Sequence, residues 1–208
     1  MKRTAVFSLL LLVLAAPLLL ARIEIHTGHA GPVTDVVVAP DRDTAYSVGE
    51  DGKLRFWDLD ERAIARTIQV SEDPLVDIAL HPDSEAVAVV ASGGGAGATL
   101  SVWDTGSGRE RFRLALPEEP LYLDYSPRGS FIVYSLPDIE SLRFVRASSG
   151  RSLSYLRRGT GIVSYFAVAS SEQTIMTYVP AAGRIDYYRL ASGSRVESVQ
   201  TQQQLRGM

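Results

Sequence analysis

The stretch GHAGPVTDVVVAPDRDTAYSVGEDGKLRFWD, from Gly28 to Asp58, decides the fold. It holds three short apolar runs separated by turn residues. The first, Val33 to Val38, is β-branched and lies between Pro32 and Pro40. The second spans Thr44 to Val48, and the third runs from Leu54 to Trp57. Runs this short, rich in β-branched and aromatic residues and bounded by Pro, Asp and Gly, read as β-strands.

Working outward, the same pattern recurs in weaker form. A proline or serine closes an apolar run at Pro40, Pro82, Pro127 and Ser170, at steps of 42, 45 and 43 residues. A large apolar residue closes a later run at Trp57, Trp103, Val145 and Tyr188, at steps of 46, 42 and 43. Five residues beyond it stands Gly108, Gly150 or Gly193, with Arg62 breaking the series. A shared period of about 43 residues marks a repeat architecture. The second unit is lengthened by SGGGAGAT, Ser92 to Thr99. Each unit also has a more polar fourth run, such as Ala65 to Val70. No stretch after residue 21 keeps a 3.6-residue period, so the units are all-β.

The first 21 residues differ in kind. Lys2 and Arg3 precede Ala5 to Leu20, which is almost wholly apolar. This is the form of a signal peptide. The cleavage site at Leu19-Leu20-Ala21 lacks the usual small residue, so an uncleaved membrane anchor through residues 4–21 is the alternative. The run is shorter than the roughly 20 residues a spanning helix needs. Either way the remainder is expected to be exported, to the periplasm or the extracellular space.

The 208 residues are 46% hydrophobic and 22% charged, enough for a sizeable core. The formal net charge of −3 lacks the basic footprint of a nucleic-acid binder. The chain has no cysteine, which excludes disulfides and thiolate metal sites.

The Gly28 to Asp58 stretch resembles a WD40 (WD-repeat) unit through Gly28-His29, Asp51-Gly52 and Trp57-Asp58. The second unit keeps Trp103-Asp104, and the third and fourth keep only the spacing. The resemblance implies a β-propeller of about four four-stranded blades, behind an N-terminal hydrophobic helix. The expected blades are 28–70, 71–116, 117–156 and 157–199, within a domain of 22–199 and before a polar tail, 200–208. It further implies a hydrogen-bonded set of His29, Ser47, Asp51 and Trp57, complete in the first blade only. The later blades are then expected to rely mainly on packing. Arg22 to Ile25 forms a spare strand ahead of the first blade. Four units and a spare strand do not close a ring neatly. The chain therefore reads as part of a larger propeller, or as a partial ring completed by self-association.

Candidate chemistry is sparse. His26, His29 and His81 form no zinc-binding His-Glu-x-x-His, and there is no Asp-rich calcium loop. The glycine run Gly93 to Gly97 leads into a strand and carries no Lys, unlike a phosphate cradle. Neighbouring carboxylates on an extended chain point opposite ways and make poor acid–base pairs. No catalytic residue, cofactor or metal is expected. Glu72, Asp73, Glu118 and Glu119 fall in connections between units, and Arg157 and Arg158 in the next one. These loops are the expected binding face for a charge-complementary protein or peptide. The expected function is a non-enzymatic, extracytoplasmic protein-interaction scaffold, with no nucleic acid bound. A quinoprotein-like or other propeller enzyme is the alternative, through Asp104 to Gly108 and Phe112, as is a truncated fragment of a longer protein.

Overall fold

The computed structural model describes residues 28–137, 141–157 and 165–201. The 1–21 leader, the spare strand at 22–25, His26 and Arg158 lie outside the described residues, as does most of the polar tail. Among the described residues no helix is long and apolar enough to cross a membrane.

Sixteen strands form four antiparallel sheets, each with its strands in sequence order. Blade 1 holds β1 (Val33–Val38), β2 (Thr44–Gly49), β3 (Lys53–Asp58) and β4 (Ala63–Gln69). Blade 2 holds β5 (Leu75–Leu80), β6 (Ala86–Ser92), β7 (Ala98–Asp104) and β8 (Glu110–Leu116). Blade 3 holds β9 (Tyr122–Tyr125), β10 (Phe131–Ser135), β11 (Ser141–Arg146) and β12 (Ser152–Arg157). Blade 4 holds β13 (Tyr165–Val168), β14 (Thr174–Val179), β15 (Arg184–Arg189) and β16 (Arg195–Gln200). Gln200, expected in the tail, completes the β16 ladder opposite Arg184.

Each blade has two faces, and the core lies between blades. Tyr46, Val48, Leu54 and Phe56 of blade 1 meet Val87, Val89 and Trp103 of blade 2. The opposite face of blade 2, with Ala88, Val90, Leu100 and Val102, meets Leu123, Tyr125, Ile132 and Tyr134 of blade 3. Phe131, Val133 and Phe144 of blade 3 then meet Ile175 and Tyr188 of blade 4. Leu54, Leu100 and Leu142 are fully buried. Each such side chain contributes about 1.5–3 kcal/mol of transfer free energy.

The repeat is also written in the backbone. Between the third and fourth strands the register slips once in every blade, at Phe56/Trp57, Val102/Trp103, Phe144/Val145 and Tyr187/Tyr188. The slip falls at the large residue that marks the period in sequence. A bulge there bends and twists the outer strand pair. Five residues on, Gly108, Gly150 and Gly193 have φ of 69°, 67° and 65°, and Arg62 takes the same left-handed turn at 53°. Arg62 thus breaks the residue pattern and not the conformation. A side chain at Gly108 would approach Arg66 of the preceding blade, and one at Gly150 would meet the Phe112 ring at 2.5 Å.

Gly150→Ala combines left-handed strain with that collision. It should lower stability by about 2–3 kcal/mol in urea unfolding. An unchanged midpoint would show that blades 3 and 2 do not approach so closely at this turn.

Candidate functional site

The polar residues singled out in blade 1 lie together. Trp57 donates its indole N–H to Ser47 Oγ at 2.8 Å. Ser47 Oγ in turn lies 2.8 Å from His29 Nε2. His29 Nδ1 is 2.8 Å from Asp51 Oδ1. For these three contacts one proton arrangement serves, with the serine hydroxyl donating to Nε2 and Nδ1–H donating to Asp51, while an Arg55 guanidinium nitrogen also lies 2.6 Å from Nδ1. Arg55, also on β3, donates to Asp51 Oδ2 at 2.9 Å. The backbone N–H of Ala30 reaches the same oxygen at 3.0 Å. Burial alone would raise the Asp51 carboxyl. The bonds from His29, Ala30 and Arg55 outweigh it and hold the group well below the usual carboxylate range. Ser47 and Arg55 are both buried. These contacts brace blade 1, with every Asp51 carboxylate oxygen occupied.

The later blades, expected to rely mainly on packing, also hold polar contacts. In blade 2, Trp103 donates to Ser101 Oγ at 2.9 Å. Ser101 stands opposite Val89, just as Arg55 stands opposite Ser47. The hydroxyl has crossed to the neighbouring strand and still meets the indole. In blade 4, fully buried Asp186 takes the Arg55 position, opposite Thr177. Its carboxylate accepts from Ser198 Oγ at 2.7 Å and pairs with Arg184 at 2.9 Å. In sequence the sign was a polar residue two before the large marker: Arg55, Ser101, Arg143 and Asp186.

A second polar group went unread. Asp35 on β1, Asp77 on β5 and Asp124 on β9 come from three innermost strands. Asp35 accepts from Ile78 N–H of the next blade at 3.3 Å. Burial pushes the Asp77 carboxyl up to about 7. Its hydrogen bond with Asp35 and the charges of Asp35 and Asp124 add to the rise, against the N–H of Ile78. Asp35 and Asp77 stand 42 residues apart, one repeat step, and Asp124 a further 47; stacking of the blades brings the three together.

The loop residues gather on one side. Val70 N–H bonds to Gly52 O at 3.0 Å, which joins the β2–β3 turn to the connection carrying Glu72 and Asp73. Gly97 approaches Leu116 O in the same way, beside Glu118 and Glu119. Glu72, Asp73 and Glu119 are exposed, and Glu118 is half-buried. Arg157 ends β12 on the corresponding side. The glycine run closes on itself, with Gly93 N–H bonded to Gly97 O at 2.9 Å. Asp104 Oδ1 is taken up by Ser107 of its own turn, and Asp104 Oδ2 by Arg111. Buried His81 stacks edge-on to Tyr125 and accepts from Asp83 N–H through Nδ1. Among the described residues no group of three His, Asp or Glu could hold a metal ion.

Residues 14–207 match a protein family described as an N-terminal beta-propeller domain. The chain belongs to this β-propeller family. Shorter stretches match WD-repeat proteins and their kin. One is 36% identical over 86 residues to WD repeat-containing protein 1 of Xenopus tropicalis, covering 40% of this chain and 14% of that protein. Another is 38% identical over 64 residues to the ribosome biogenesis protein YTM1 of Laccaria bicolor, covering 30% of this chain and 14% of that protein. The chain thus spans a small part of these relatives. The propeller is WD40-like.

Ser47→Ala leaves the Trp57 N–H and His29 Nε2 without their shared partner, at a cost of about 1–3 kcal/mol in urea unfolding. Trp57→Phe in the Ser47→Ala background should then cost less than in the wild type, and additivity would show that the two do not communicate.

Asp77 supplies a pH test. Its native pKa of about 7 lies above the unfolded value near 3.9, so the native state holds a proton that the unfolded state releases. The stability from that proton is full below about pH 4 and is lost as pH rises through about 7. Asp77→Asn should remove this slope and gain relative to the wild type between about pH 5 and pH 8. A constant difference would place Asp77 among ordinary carboxylates.

Proposed function

We propose that the chain is an exported WD40-like propeller that holds a protein or peptide partner and carries out no chemistry of its own. The loop face carries this reading. Connections bearing Glu72, Asp73, Glu118 and Glu119 sit beside the β2–β3 and β6–β7 turns on one side of blades 1 and 2. Polar side chains elsewhere are engaged in bracing the blades, as at Asp51, Asp104 and Asp186. A run of carboxylates on a rigid rim favours a partner with Lys or Arg, chiefly by raising the association rate. Export is supported by Lys2-Arg3 followed by the apolar run Ala5 to Leu20.

Affinity selection against randomised peptides should enrich basic sequences. Glu72→Lys with Asp73→Lys should weaken them at least tenfold, and salt should weaken wild-type binding further, while the melting temperature holds. Enrichment of neutral or acidic peptides would contradict the reading. Fusion of alkaline phosphatase after residue 208 tests export: an active fusion supports it, and a silent one opposes it.

A further inference from the structure

The three blade junctions repeat one scheme. The face carrying the even-numbered row Tyr46, Val48, Leu54, Phe56 in blade 1 packs on the following blade. The face carrying Trp103 in blade 2, or Tyr188 in blade 4, packs on the preceding one. Blade 1 therefore offers a preceding-side face, and blade 4 a following-side face. Among the described residues no hydrophobic cluster covers either.

Both faces leave apolar positions exposed, although on blade 1 Ser47, Arg55 and His29 of the polar brace are already covered. On blade 1, Val36 is 56% exposed, whereas the residues at the same register position in blades 2 and 3, Ile78 and Leu123, are 3% and 9% exposed. On blade 4 the positions of Tyr46, Val48, Leu54 and Phe56 are held by Met176, Tyr178, Ile185 and Tyr187. Exposed Tyr165 and Val199 flank them, opposite Tyr178 and Ile185. Exposed apolar side chains grouped on one face mark a contact surface.

The turn that follows the third strand names the cover. At the internal junctions a glycine of one blade meets a fourth-strand residue of the blade before it: Gly108 meets Arg66, and Gly150 meets Phe112. At the two ends of the arc the corresponding positions are Arg62 on blade 1 and Glu197 on blade 4. Both are exposed. A basic residue faces outward where an acidic one would arrive from blade 4 of another molecule.

We propose that two copies of this chain join end to end, blade 4 of each against blade 1 of the other, to close an eight-bladed ring. A twofold axis makes both contacts at once and leaves no face open, and eight blades lie within the usual range of about 4–8. Val36 and Val38 are covered by the partner's Tyr178 and Met176 row, and Arg62 pairs with Glu197 across each seam. The contact uses the flanks of the arc and not the loop face, so it and the peptide-binding reading can fail separately.

Native mass spectrometry of the full chain, released from mild detergent, should show two chains per particle. Val36→Asp and Tyr178→Asp each spoil one side of the contact and should each give monomers. Mixed together, they should form a heterodimer through the one seam in which both faces are intact. Arg62→Glu and Glu197→Arg, at exposed positions that leave the blades folded, should each weaken association several-fold, and the double exchange should restore it. A monomeric wild-type chain would overturn the proposal. So would a dimer indifferent to all four substitutions, or a mixture that stays monomeric.

Discussion

A blade can bury its two apolar faces only against other blades. Its four strands pair with one another, so backbone hydrogen bonding between them is met within the sheet. A lone four-stranded sheet nevertheless leaves both rows of Val, Leu and Phe in water. Stacking is the remedy, and the three junctions supply all the hydrophobic cores found among the described residues. Stability is thus shared in nearest-neighbour terms, as in other repeat proteins. Blade 2, buried on both sides, can have the plainest sequence: β6 is Ala-Val-Ala-Val-Val-Ala-Ser and is buried almost throughout. Small residues there admit Tyr125 and Tyr134 from blade 3. The end blades carry the polar and aromatic variety.

The polar braces follow from the same constraint. The large residue that ends the third strand fills the outer part of a junction, and when it is Trp or Tyr it brings a polar atom with it. That atom needs a partner, and the nearest backbone is already engaged in the ladder. In blades 1, 2 and 4 a side chain two residues earlier, or directly across from that one, supplies it. Ser47, Ser101 and Asp186 are three solutions to one geometric problem. Blade 3 has Val145 at the marker and brings no such demand, so its junction with blade 2 is apolar there.

Much of the architecture was legible, because period and turn chemistry survive substitution. Pro40, Pro82 and Pro127 mark strand ends whatever lies between them, and the third-strand markers coincide with the four register slips. The first brace could be named because its residues match a known pattern. The braces of blades 2 and 4 could not, since moving a hydroxyl from one strand to its neighbour changes both positions in sequence and leaves the bond intact. Arg62 misled for a related reason. Gly108 and Gly150 stand where the preceding blade crowds the turn, and Arg62 takes the same backbone conformation with an exposed side chain. The Asp35, Asp77 and Asp124 group has no local signature at all, because its members meet only through the stacking of three blades.

Blade 1 carries the fullest polar brace among the described blades. In blade 2 the Trp103 face is roofed by blade 1, and one serine suffices. On blade 1 the inner strand is bare, as Val36 and Val38 show, yet Ser47 and Arg55 are only 3% and 4% exposed. The cover over them is His29, whose side chain is 1% exposed and whose ring bridges Ser47 to Asp51. The His29 segment therefore does locally what an adjoining blade does elsewhere. Once a side chain roofs the site, its own polar atoms must be satisfied, and Asp51 with Arg55 completes the set. The residues that make this repeat recognisable are thus one connected set, each satisfying the next. Blades 2 and 4 meet the same demand with fewer polar residues.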